Sequence, residues 1–534
     1  MSEQSVAVEQ AGRALLSGAQ IAVRYLTIPG ANWFGDGRSE HPRSGLDIIH
    51  DRIVQSPEAE RYVSPLASFY VDVTIPFTRR RRLPVAALVE LEAAQAPLVH
   101  IDIGSIETVW EGRTISLPPL SITAEMRDAV AFFESGHIVY APAFVLAADR
   151  AGGPGTLHLS ALTSLVGSSS AGYGQGLDDI RSRIAFRQPG EDAGIDLVQF
   201  VNRRMARLVD ERASGNVFAD LVRPALVRAG WNERARSKAR AAVSEMKWAD
   251  FKSASIEVVG AERHPQVLAT CRAAAAPSAT LQIGPEGLAL AALGQNVLDA
   301  SNQDDHEVLD SLSQAVVAGD EVLLIHPKLT VRFSSKARSF TEMRDHCGGC
   351  PYFMLTNMVL AYNEHLVRQS AKLVDGIQQA LRHKGSAALS GAGGRDVRED
   401  LNARVQLFEN QTLHGLPNIF RYPAERVMFD QIVRQRGLAQ RSEGIERFTR
   451  ALYELRKDFT DLAEREGTRR TNRLLMALGI LQVSSLFLSG LGLDLDKVLP
   501  GGVSSGQVRI GLWALLALSL AGGFLVALSA LRKP

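Results

Sequence analysis

The chain has 534 residues, of which 46% are hydrophobic and 22% charged, an ordinary globular composition with room for two or three domains. A formal net charge of +1 supplies no bulk field that would recruit nucleic acid, so no nucleic-acid partner is expected. Three cysteines cannot build a disulfide framework, and the opening Met-Ser-Glu-Gln carries no basic-then-apolar export signal, so a reducing, cytoplasmic setting is expected for the bulk of the chain.

Residues 1–60 combine a short helical pattern with a Gly/Pro/Arg-rich loop near 29–43. The first clear strand is 68–75, where Phe69, Val71, Val73 and Ile75 alternate with polar positions. Four consecutive arginines, 79–82, read as a solvated turn, with an anionic partner as the sharper alternative. Further strands are expected at 98–103, 137–146, 156–159, 255–259 and 280–283, with helices near 178–187 and 195–213. This interleaving predicts an α/β layer architecture. The Gly/Ser-rich stretch 167–176 lacks a Gly-Lys-Ser/Thr ending and is not a phosphate loop. The basic residues of 232–247 read as the wet face of a helix. Asp304, Asp305, Glu307 and Asp310 sit at a predicted helix start, where acidic side chains suit the helix dipole.

Residues 321–325 and 329–333 flank His326-Pro327, a turn signal, and predict a hairpin that closes the first domain. The run His346-Cys347-Gly348-Gly349-Cys350 could be a redox pair or half a zinc site, but a tight glycine turn capping the next helix is the simpler reading. Pro351 suits a first helical position, and helical periodicity continues from there to about 381. A flexible connector, 385–394, leads to helices at 396–412 and 424–435. No Ser/His/Asp or Cys/His constellation is legible from spacing, so no enzyme is expected.

From Gly444 onward Ile445, Phe448, Leu452, Leu455, Phe459 and Leu462 step by three and four, the seam of a coiled-coil stalk. Arg469, Arg470 and Arg473 precede a run without charge, 474–493, and a second such run, 510–531, ends at Arg532 and Lys533. Each is long enough at about 1.5 Å per residue to cross a bilayer. The flanking basic residues place both termini in the cytoplasm, as in a multi-pass inner-membrane protein. The expected fold is therefore an α/β cytoplasmic domain (1–335), a helical stalk (336–470) and two C-terminal transmembrane helices (471–534). Along the first run Thr471, Leu475, Leu478, Gln482, Ser485, Ser489 and Gly492 share one face. That face either lines a pore or packs helices closely. Asp494 follows as a solvated loop residue or, repeated about an axis, as a carboxylate ring that concentrates cations.

The hairpin at 321–333, the long helix from Pro351 and the paired charge-free runs resemble the CorA-type divalent-cation transporters over roughly the last 215 residues. The resemblance implies a homopentamer around an axial pore, a Mg-like divalent cation as transported or regulatory ion, and no further cofactor. It also implies pore lining by Gln482, Ser485, Ser489 and Gly492. The family's Gly-Met-Asn mouth corresponds here to Gly492-Leu493-Asp494, of which only the glycine is kept, and Asp494 becomes the expected metal-facing residue. A rival reading is a membrane-anchored sensor or effector whose spans only tether and oligomerise it.

Overall fold

The computed structural model describes residues 3–28, 72–74, 82–84, 86–91, 97–110, 113–133, 137–148, 153–167, 182–209, 251–276, 283–294, 305–335, 349–384, 423–441 and 505–531, with isolated residues between them. In chain order the first elements are α1 (Glu3–Leu16), β1 (Gln20–Thr27), β2 (Asp72–Thr74), β3 (Arg82–Pro84), β4 (Ala86–Leu91), β5 (Leu98–Ile103), β6 (Ile106–Trp110), β7 (Arg113–Leu117), β8 (Leu120–Phe133) and β9 (Ile138–Ala147). There follow α2 (Thr156–Gly167), β10 (Ile184–Arg187), α3 (Leu197–Val209), β11 (Phe251–Val259), α4 (His264–Ala274), α5 (Pro285–Gly294) and α6 (Asp305–Ser313). The last are β12 (Val316–Ala318), β13 (Glu321–Ile325), β14 (Leu329–Ser334), α7 (Pro351–Lys384), α8 (Pro423–Gln435) and α9 (Ser505–Leu531). Two compact units emerge, one of residues 1–366 with 414–441, the other of 367–413 with 442–534.

The first unit is organised on a ten-stranded sheet of order β10-β5-β8-β9-β1-β11-β14-β13-β12, with β4 beside the second half of β8. Among the described residues only β11 and β14 run parallel; every other pairing is antiparallel. The central strands are covered on both faces, which is why β1 and β9 read as near-continuous apolar runs rather than alternating ones. Ile21, Val23 and Tyr25 of β1 join a core with α1, α2, α3, α4, α5 and α6. Leu26 points the other way, into a second core with Phe353, Met358 and Tyr362 of α7 and Phe429 and Ile432 of α8. The first core holds an aromatic cluster in which Phe144 lies 5.8 Å from Tyr25, 5.2 Å from Phe186 and 6.1 Å from Phe200, ring centre to ring centre.

Several expected elements fall where periodicity placed them: β5, the β13–β14 hairpin, and α7 starting at Pro351. Two change type. Residues 156–159, expected as a strand, open α2, a helix buried nearly all round, with Leu157, Leu159, Leu162 and Leu165 all in the core over a window longer than the four residues that alternate. Residues 184–187, expected as the end of a helix, are β10, because Ile184 and Phe186 bury one side of a strand paired with β5. The expected segments 385–394 and 396–412 lie outside the described residues.

The expected pair of C-terminal transmembrane helices is corrected. Among the described residues no helix is long and apolar enough to cross a membrane. The expectation rested on the absence of charge in 474–493 and 510–531, whereas a span needs one continuous helix that is both long and apolar, and among the described residues none is. Of 474–493, only Leu475, Met476, Gly479 and Gln482 are described, all helical.

Phe144 is 1% exposed at the centre of its aromatic cluster. Phe144→Ala is expected to cost about 3–5 kcal/mol through lost burial and the cavity left behind, read as a lower denaturant midpoint followed by far-UV circular dichroism.

Candidate functional site

The second core contains a cluster of charge that apolar strands would not be expected to hold. Glu257 lies in the second half of β11 and is fully buried. Its register partner across the parallel ladder is Arg332 of β14, and Arg24 of β1 is the diagonal neighbour on the other side. Pairing therefore sets a carboxylate between two guanidinium groups on one face of the sheet. Arg24 Nη1 donates to Glu257 Oε2 at 3.0 Å, and Arg332 Nη1 donates to Glu257 Oε1. Arg332 also donates to Glu321 at the start of β13, through Nη2 to Oε1 and through Nε to Oε2 at 3.4 Å. Two arginines and two glutamates balance in charge, as a buried set must.

The long helix is attached to this centre. The backbone N–H of Cys350, just before α7, donates to both carboxylate oxygens of Glu257, at 2.8 and 2.9 Å. An anion at a helix start satisfies an otherwise unpaired amide and suits the positive end of the dipole. Arg332 lies over the Phe353 ring at 5.9 Å, adding a contact from the first helical turn. The approach is so close that a β-carbon on Gly349 would overlap Glu257 Oε2 and Arg24 Nη2. Glycine is required there for space. Burial raises the Cys350 thiol above its ordinary range, with Arg332 pulling the other way, which leaves a protonated and weakly nucleophilic sulfur.

A second ionic centre grips the same helix further on. Arg436, which follows α8, donates through Nη2 to Thr330 Oγ1 of β14 at 2.6 Å and reaches Glu364 Oε1 of α7 at 3.5 Å. Burial lowers the Arg436 pKa, and Glu364 opposes that shift. His326, in the β13–β14 turn, is held down to about 4 by burial and then by the charge of Arg436. Its ring packs so tightly on α5 that a β-carbon on Gly294 would overlap Nε2. Cys350 and Glu364 are about 21 Å apart along the helix, so α7 is held at two points on one side of the sheet.

Two more buried polar clusters stabilise the opposite face. Asp128 of β8 accepts from Tyr140 Oη and from Arg204 of α3, the latter through Nε at 3.0 Å. Glu9 of α1 accepts from Leu157 N at 3.2 Å, capping α2, and lies 3.2 Å from His158 Nδ1. In all four clusters the carboxylates are engaged by arginine, histidine, tyrosine or backbone N–H groups. The arrangement fixes neighbouring elements in place.

Gln482 is helical and exposed, while Ser485, Ser489, Gly492, Leu493 and Asp494 lie outside the described residues. His346, Cys347 and Gly348 lie outside them too. Among the described residues no group of three or more His, Cys, Asp or Glu side chains could hold a metal ion. The ionic centre itself was not anticipated, although a signal existed: Arg24 and Arg332 are each the lone charge of their strands, and Glu257 is the lone acid of β11. Compared with known proteins, the chain matches no family model, no curated sequence and no solved structure.

Glu257→Gln leaves two buried guanidinium groups without their shared carboxylate and is expected to cost about 3–5 kcal/mol, measured as a drop in the urea midpoint. The His326 pKa of about 4, against 6.5 ordinarily, also predicts a pH effect. As pH falls from 6.5 to 4 the unfolded chain binds a proton that the folded chain refuses, so stability declines through that window and levels off below it. His326→Asn should flatten that part of the melting temperature against pH.

Proposed function

We propose that the chain is a homo-oligomeric, membrane-associated protein of CorA-like metal-cation transport, with the sheet unit as its sensing body and α7 as its lever. The observation that carries this reading is the double grip on α7: its start is held by Glu257 and its fourth turn by Arg436, and the same 34-residue helix continues into the second compact unit. A ligand that favours one packing of the sheet unit therefore acts on a rigid element that leaves it. The order of a β-hairpin followed by a long helix from Pro351 supports the CorA likeness, and a Mg-like divalent cation is the ion that likeness implies.

Attachment to the membrane is assigned to the apolar surface of α9. Ile510, Trp513, Leu515, Leu518, Leu520, Phe524 and Leu525 are all exposed, whereas Leu516 is buried. At 3.6 residues per turn the exposed set covers roughly 220° of the helix. That is wider than the single stripe by which a helix meets one neighbour. Lipid or several neighbouring copies would cover it.

The second reading is a membrane-attached sensor or effector that carries no ions, and the loss of the two-span fold favours it because it needs no pore. Oligomer mass in detergent, combined with Mg2+ flux into proteoliposomes, separates the two. A homo-oligomer with saturable flux is expected for transport. Vesicle binding without flux would establish the sensor reading, and a monomer that ignores vesicles would overturn both.

A further inference from the structure

On the face of the sheet opposite the ionic centre, α1, α4, α5 and α6 leave a cavity of about 450 Å3 between them. Ala11, Ala274, Leu309 and Leu312 form apolar walls, and Thr270 and Glu286 are the polar side chains at its edge. Its size lies within the range of small-molecule sites, which combine apolar walls with a few placed polar groups. A β-carbon on Gly284, at the lip, would meet nothing within 4 Å, so a larger side chain has room there.

We infer that this cavity binds a small, uncharged, largely apolar molecule carrying one hydrogen-bond donor, such as a hydroxyl. Charge decides against ionic ligands. Glu286 is the charged group at the edge, and Arg263 Nη1 donates to its Oε1, so the pair presents no net charge to a guest. The start of α5 is also a poor anion cradle. Pro285 has no N–H, and the amides of Gly287 and Leu288 are spent on Gly284 O at 3.0 and 3.2 Å. An ammonium or carboxylate head would lose its hydration without a matching counter-charge. Glu286 Oε2, which accepts no hydrogen bond among the described residues, remains to receive a neutral O–H, and Thr270 offers a hydroxyl nearby.

The test uses the full chain with leucine methyl groups isotopically labelled, read by NMR at Leu309 and Leu312, with 1-hexanol, hexylammonium and hexanoate as probes. Hexanol should shift both methyls saturably, with the two ions at least about tenfold weaker. Gly284→Leu should fill the cavity and abolish the hexanol shift while leaving the melting temperature unchanged. Glu286→Leu, which removes the acceptor and not the space, should weaken hexanol about fivefold. The inference is overturned by an absence of saturable shift with hexanol, by equal binding of either ion, or by hexanol shifts that persist in a folded Gly284→Leu chain. Should Gly284→Leu fail to fold, unchanged hexanol affinity in Glu286→Leu overturns the assigned hydrogen bond and with it the ligand class.

Discussion

The fold is organised around one carboxylate. Glu257 sits inside a sheet covered on both faces, where Arg24 and Arg332 flank its carboxylate and the Cys350 N–H donates to it. A buried ion set of this kind adds little net stability over a well-packed apolar core, since desolvation consumes most of the Coulombic gain. It does exact a geometry. A strand slipped by one residue would turn Arg24 or Arg332 to the other face and strand a charge, so the ionic set and the register of β1, β11 and β14 depend on each other.

The same constraint explains the placement of α7. Its apolar residues Phe353, Met358 and Tyr362 would pack on many sheet surfaces, because hydrophobic burial is non-directional. The hydrogen bonds from Cys350 to Glu257 and the reach of Arg436 to Glu364 are directional, and they select one position. Gly349 belongs to that selection, as the residue whose missing side chain lets backbone approach carboxylate. Apolar contact thus supplies the driving force and the ionic groups supply the address.

The two faces of the sheet divide the work. One carries the ionic centres and α7; the other carries α1 to α6, where packing of short, small-residue helices such as α5 leaves a cavity. Ala and Gly let helices approach closely at some points and leave space at others, because little side-chain volume is available to fill mismatched ridges. In the second unit, α9 exposes large apolar side chains around much of its circumference, a surface that calls for a covering of lipid or protein.

Much of the local structure was legible in the sequence by itself. Period-two alternation located β5, the His326-Pro327 turn located the β13–β14 hairpin, and Pro351 marked the start of α7, since these depend on neighbours a few residues apart. Chain-level signals failed where a partner decides the outcome. Residues 184–187 became a strand only because β5 lies beside them, 156–159 became helical within the longer buried helix α2, and the charge-free runs are matched, among the described residues, by no helix long and apolar enough to cross a membrane. The centre could not be read as a unit, because Arg24, Glu257 and Arg332 are separated by 233 and 75 residues and meet only through strand order and register. Sequence determined which segments are strands, turns and helices wherever local periodicity sufficed; tertiary structure alone decided which buried charges face one another, since that depends on contacts between residues far apart in the chain.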